Sequence, residues 1–137
     1  MQKKKIIGIF VCMLILIPVL SSTVTAEEPV LEINIRARST IFFGAIIIEE
    51  IKNIGDADAI NVNYSWRLKH PLFKIVDMTD NDTINIIETG ETFKQTIGLS
   101  WIGRFEYTVT ASIRGGATFT KKVKGFCFGR FIFLFPD

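Results

Sequence analysis

The stretch from Glu50 to Leu68 constrains this chain most. Its second half alternates without a break: Ile60, Val62, Tyr64, Trp66 and Leu68 on one side, Asn61, Asn63, Ser65 and Arg67 on the other. A period of two marks a β-strand with one buried face and one wet face. Gly55, Asp56 and Asp58 supply turn chemistry between this run and the apolar run before it. Two strands joined by such a turn confine the chain to an antiparallel β-protein.

The same pattern recurs on either side. Leu31, Ile33 and Ile35 alternate with Glu32, Asn34 and Arg36. An isoleucine-rich run over Phe42–Asn53 predicts a second strand, with Gly44 suggesting a bulge. Ala59–Lys69 is the third, ended by His70-Pro71 because proline cannot donate to a ladder. The reading continues with a short strand over Leu72–Val76, a polar loop over Asp77–Asp82, and a brief apolar strand over Thr83–Ile87. Glu88–Glu91 is a turn, and Thr92–Leu99 carries Phe93, Ile97 and Leu99 on one face. Phe105, Tyr107, Val109, Ala111 and Ile113 then alternate with polar residues, and Gly115-Gly116 closes a hairpin into Ala117–Lys124. Seven to eight short strands in about 100 residues predict one antiparallel, immunoglobulin-like β-sandwich over residues 27–137. Trp66, inside an unbroken apolar stripe, is expected to plug the core.

Residues 1–26 carry the marks of a secretory signal. Lys3, Lys4 and Lys5 form a positive start, Ile6–Leu20 an apolar run, and Val24 and Ala26 the small residues of a cleavage site after Ala26. A signal helix removed there leaves the chain starting at Glu27. Read instead through Val24, the run approaches the roughly 20 residues of a bilayer span and predicts an uncleaved signal-anchor, with membrane contact through Met1–Ala26. Either way the expected location is secreted or the extracellular face of the cell membrane.

Removal of the signal changes the charge balance. The full chain has 16 Lys and Arg against 14 Asp and Glu; without the three lysines, 13 basic residues face 14 acidic ones. Lys121, Lys122 and Lys124 are the one basic cluster left, and Lys121 points away from the other two. Nucleic acid, which needs a basic stripe for its electrostatic attraction, is not an expected partner. Cys12 falls in the signal, so Cys127, between Phe126 and Phe128, is expected to be a buried, inert thiol.

No arrangement for catalysis emerges. His70 is the lone histidine. Gly98-Leu99-Ser100-Trp101-Ile102-Gly103 has the wrong glycine spacing for a nucleophile elbow. Glu49 and Glu50 are adjacent on a strand, so they point to opposite faces and cannot share a substrate. A zinc site needs several Cys or His ligands. Calcium is the one ligand with oxygen donors to hand: Asp56 and Asp58 at one turn, Asp77, Asp80 and Asp82 in another segment. Aspartates also cap backbone amides in turns, and no EF-hand spacing is present, so no metal or cofactor is assigned. Asn63-Tyr64-Ser65 and Asn81-Asp82-Thr83 are N-glycosylation sequons on residues expected to face solvent. Trp101 and Tyr64 would serve carbohydrate binding if their rings were exposed.

Three segments carry a family likeness. Lys52-Asn53-Ile54-Gly55-Asp56-Ala57-Asp58-Ala59 followed by Asn61-Val62, then Glu88-Thr89-Gly90-Glu91, then Gly103–Val109, resemble in order the strand–turn–strand, later turn and glycine-led strand of the cell-adhesion-related domain found in bacteria. That CARDB-like family belongs to the immunoglobulin-like modules of prokaryotic, especially archaeal, cell-surface proteins. The resemblance implies a sandwich with an adhesion, assembly or scaffold role, no catalytic residues, and a protein partner at the cell surface. Gly125–Asp137 departs from it. The tail Phe126–Phe135 is apolar on both strand faces, and is expected to be a last strand packed in the fold or a surface that meets a partner or lipid.

Overall fold

The computed structural model describes residues 27–70, 77–99 and 102–136. Among them the chain is an all-β sandwich of eight strands: β1 Leu31–Thr40, β2 Gly44–Asn53, β3 Ala59–Lys69, β4 Asp77–Ile87, β5 Thr92–Leu99, β6 Ile102–Ile113, β7 Thr118–Phe128 and β8 Phe131–Leu134. One layer is ordered β1-β2-β5, the other β4-β3-β6-β7-β8. All the pairings are antiparallel. Residues 1–26, the strand expected over Leu72–Val76, and Trp101 lie outside the described residues.

The two strands of the Glu50–Leu68 stretch do not pair with each other. β2 and β3 belong to opposite layers, and residues 54–58 arch between them. Asn53 holds the arch. Its buried side chain donates to Ala57 O at 2.8 Å and Ile87 O at 2.9 Å, and accepts from the Gly55 amide at 3.0 Å. Its backbone bonds Glu91 O and the Gly90 amide, so one residue ties both crossings between the layers. Gly55 is required because a Cβ there would overlap Glu28 O and Val30 N.

The core fills between the layers as the alternation predicts. Val62, Tyr64, Trp66 and Leu68 of β3 and Phe105, Tyr107, Val109, Ala111 and Ile113 of β6 meet Ala45, Ile47 and Ile51 of β2. Trp66 is buried with its ring 5.9 Å from that of Tyr107. Burying each large apolar side chain stabilises the fold by roughly 1.5–3 kcal/mol.

Four expectations are corrected. Ile60 is 56% exposed instead of buried. Asn61 has a φ of 53°, and this left-handed residue, which asparagine tolerates better than most, reverses the facing of what precedes it. Ala59 turns inward in place of Ile60. Asp77–Asp82 is not a loop but the first half of β4, in register from Lys69↔Asp77 to Tyr64↔Asp82. That half is exposed on both faces, so the ladder to β3 holds it and no apolar period was needed. Gly44 is not a bulge. Its φ of 74° closes the β1–β2 turn. The tail is buried on one face only, through Cys127 and Ile132.

Candidate functional site

The open end of the sandwich gathers the most unusual surface. The β1–β2 turn consists of Ile41, Phe42 and Phe43, which are 81%, 90% and 82% exposed. Three large apolar residues replace the small polar ones that tight turns ordinarily use. β8 lies beside this finger, with the Ile132 amide donating to Ser39 Oγ at 3.3 Å. The Phe126–Phe135 tail folds as the end of β7, a turn at Gly129, and β8. Cys127 and Ile132 point inward and are buried. Phe126, Phe128, Phe131 and Phe133 point outward.

Register makes those four rings a block. Phe128 stands opposite Phe131 and Phe126 opposite Phe133, while Ile102 and Arg104 of β6 extend the two rows. All four phenylalanines and Ile102 are exposed. Gly125 allows the hairpin to close down, since a Cβ there would strike Phe133 O and the Phe105 ring. With the finger, this corner presents eight large apolar side chains, more than an isolated soluble module normally leaves uncovered.

Among the described residues, charge at the corner has one sign. Arg38, Arg104 and Arg130 flank the apolar set, with the Arg130 guanidinium 5.3 Å over the Phe131 ring. No Asp or Glu occurs among the described residues of 37–46, 98–105 and 125–136. The nearest acids are already engaged. Glu106 meets the ammonium groups of Lys69, Lys122 and Lys124 at 3.5, 3.4 and 3.8 Å. Partial burial works to raise its carboxyl, but the hydrogen bonds and charges of Lys122 and Lys69 win and hold it below the usual range. Asp77 is held low by its hydrogen bond to Arg67.

The outer face of the larger layer is otherwise mostly polar, with a shallow depression lined by Asn63, Ser65, Asn81, Thr83, Thr110 and Ser112. Asn63 and Asn81, the sequon asparagines, are exposed there. Antiparallel register sets Asn63 opposite Thr83 and Ser65 opposite Asn81, so each sequon's asparagine faces the other's hydroxyl residue. The acidic calcium candidates are not brought together. Asp58 accepts from the Thr89 amide at 3.0 Å at the arch end, and Asp56 lies in the same arch. Asp77 stands at the far end of β4, about 35 Å along the strand. Asp80 and Asp82 share the face opposite to that of Asp77 and cap the amides of Asn81 and Thr83. Among the described residues no three His, Cys, Asp or Glu converge on one point.

One ionisable group was missed by sequence reasoning. Glu49 is fully buried and accepts a hydrogen bond from the Tyr64 hydroxyl, while its Oε1 has no partner among the described residues. Burial pushes its carboxyl up to about 8. Burial, then the charges of Asp80 and Asp82, push the Tyr64 phenol up as well. The parity of β2 carried the signal: Ala45, Ile47, Glu49, Ile51 and Asn53 share one face, and two of those five are polar. The pair sits in the core, so Tyr64, only 2% exposed, offers no stacking surface for a sugar. His70 follows β3, outside the strand.

No family model matches the chain, and no curated protein does. Among solved structures, a protein assigned as ApaA from Bordetella pertussis is similar, at 16% identity and a TM-score of 0.49, covering 80% of this chain and 95% of its own. At that level the likeness says nothing of what this chain does.

Proposed function

We propose that the chain is an exported, non-enzymatic binding and assembly module of the cell surface, CARDB-like in its role, which docks through the apolar corner. The observation that supports this most is the block of Phe126, Phe128, Phe131 and Phe133 beside the Ile41–Phe43 finger. Surfaces of this kind are ordinarily covered in use. The signal pattern of residues 1–26 supports export, and the inward, closed setting of Glu49 and Tyr64 suits a structural role better than a catalytic one.

A second form of this reading keeps residues 1–26 as an anchor and makes the domain an accessory subunit of an envelope complex. Glu28 is bonded to the Asp56 amide at the arch end, so the anchor would leave the corner pointing away from its membrane. Cell fractionation with N-terminal sequencing decides between the forms. A released chain beginning at Glu27 favours the secreted form, and a membrane-bound chain beginning at Met1 favours the anchored one. A chain recovered in the cytosol with Met1 intact would overturn both.

A further inference from the structure

Resting on that reading, we propose that the corner docks onto an anionic phospholipid bilayer, with the Ile41–Phe43 finger entering the interface and Arg38 and Arg130 meeting lipid phosphates. Three observations select this occupant. The finger carries no hydrogen-bonding side chain at its tip, which suits the acyl–headgroup boundary, where apolar groups settle 5–10 Å deep. The flank carries Arg38 and Arg130, and no acid occurs among the described residues of 37–46, 98–105 and 125–136. Anionic leaflets attract such charges. The Arg130 guanidinium also lies against the apolar set, 5.3 Å from the Phe131 ring centroid, so cationic charge and apolar surface are presented together.

A second copy of the chain fits less well. Two copies meeting corner to corner would oppose four like charges, Arg38 and Arg130 from each, around an apolar centre. Strand addition at β8 is hindered too, because the edge amide of Ile132 already donates to Ser39.

The test uses the full chain and vesicles. An environment-sensitive fluorescent amino acid is placed by codon suppression at position 42 and, in a second sample, at position 58 at the opposite end. On vesicles of phosphatidylglycerol mixed into phosphatidylcholine, emission from position 42 should shift to the blue while position 58 stays unchanged. Phosphatidylcholine alone should leave position 42 unshifted at physiological salt, where screening still permits contact attraction. The double change Phe42→Ser with Phe43→Ser should weaken vesicle binding about a hundredfold or more, and Arg38→Gln or Arg130→Gln about fivefold each. All three variants are at exposed sites, so unaltered melting temperatures would confirm intact folding.

A shift at position 58 alone would overturn the proposal and assign membrane contact to residues 1–26. Equal binding to both vesicle types, or binding indifferent to the two serines, would overturn it as well. Self-association lost in the serine variant without vesicle binding would make a second copy the occupant instead. If vesicles fail while the chain is still found at the cell surface, the lipid inference falls and the module reading stands.

Discussion

Glu49 makes stability a function of pH in an unusual direction. A buried carboxyl at about 8, against an ordinary 4.5, keeps its proton in the folded chain after the unfolded chain has lost it. Between those values the folded state binds more protons, so stability falls as pH rises. The contribution is fully present below about 4.5 and is lost progressively up to about 8. At about 1.4 kcal/mol per pH unit, the ceiling across that window is roughly 4–5 kcal/mol. From pH 5 to pH 8 the loss should be roughly 3–4 kcal/mol, a large share of the 5–15 kcal/mol that holds a domain together. Glu49→Gln keeps the shape and removes the titration. Urea unfolding at a series of pH values should show wild type and Glu49→Gln nearly equal at pH 5 and the variant more stable at pH 8. Asp77 and Glu106 act oppositely, but only as pH falls through their depressed values, below this window. Parallel curves for the two proteins, within about 1 kcal/mol from pH 5 to 8, would refute the reasoning.

Other outcomes follow from the same structure. Asn53→Ala orphans Ala57 O, Ile87 O and the Gly55 amide, and should cost roughly 2–4 kcal/mol by denaturant unfolding. Ile60→Ser should change stability by less than about 0.5 kcal/mol, whereas Val62→Ser, two residues on and fully buried, should cost about 2–4 kcal/mol. Equal effects would place the reversal at Asn61 wrongly. Millimolar calcium should leave the melting temperature unchanged, because Asp56 and Asp58 lie in the arch, at the opposite end of β4 from Asp77. A rise of several degrees would show that the aspartates converge on an ion after all.

Much of the fold was legible because one physical rule wrote it. Where a strand is covered on one face, as β3 and β6 are, burial forces a period of two, and the period can be read back. β4 escaped because its first half is covered on neither face, so a run of Asp, Asn and Thr with loop composition pairs as a strand. Ile60 escaped because a single left-handed residue reverses parity without altering composition. The division of β2 and β3 between layers was equally hidden, since a turn's residues declare a bend but not what the bend crosses. At the candidate site, the apolar tail was visible as a sequence, but the array of four rings needed the β7–β8 register. The finger was misread because Phe42 and Phe43 look like the start of an apolar strand. Glu49 was readable from parity alone, once its neighbours Ile47 and Ile51 are counted on its face.

The sharing of Asn53 also bears on how the chain reaches its native state. The same amide serves a carbonyl four residues away and another 34 residues away. The nearby bond closes a small loop at low entropic cost and can form early, while the distant one must wait for β4 to arrive. The side chain is thus committed at its local end before the remote end is available. Replacing it should slow refolding as well as hasten unfolding, and the ratio of those two effects would date the second crossing relative to the transition state.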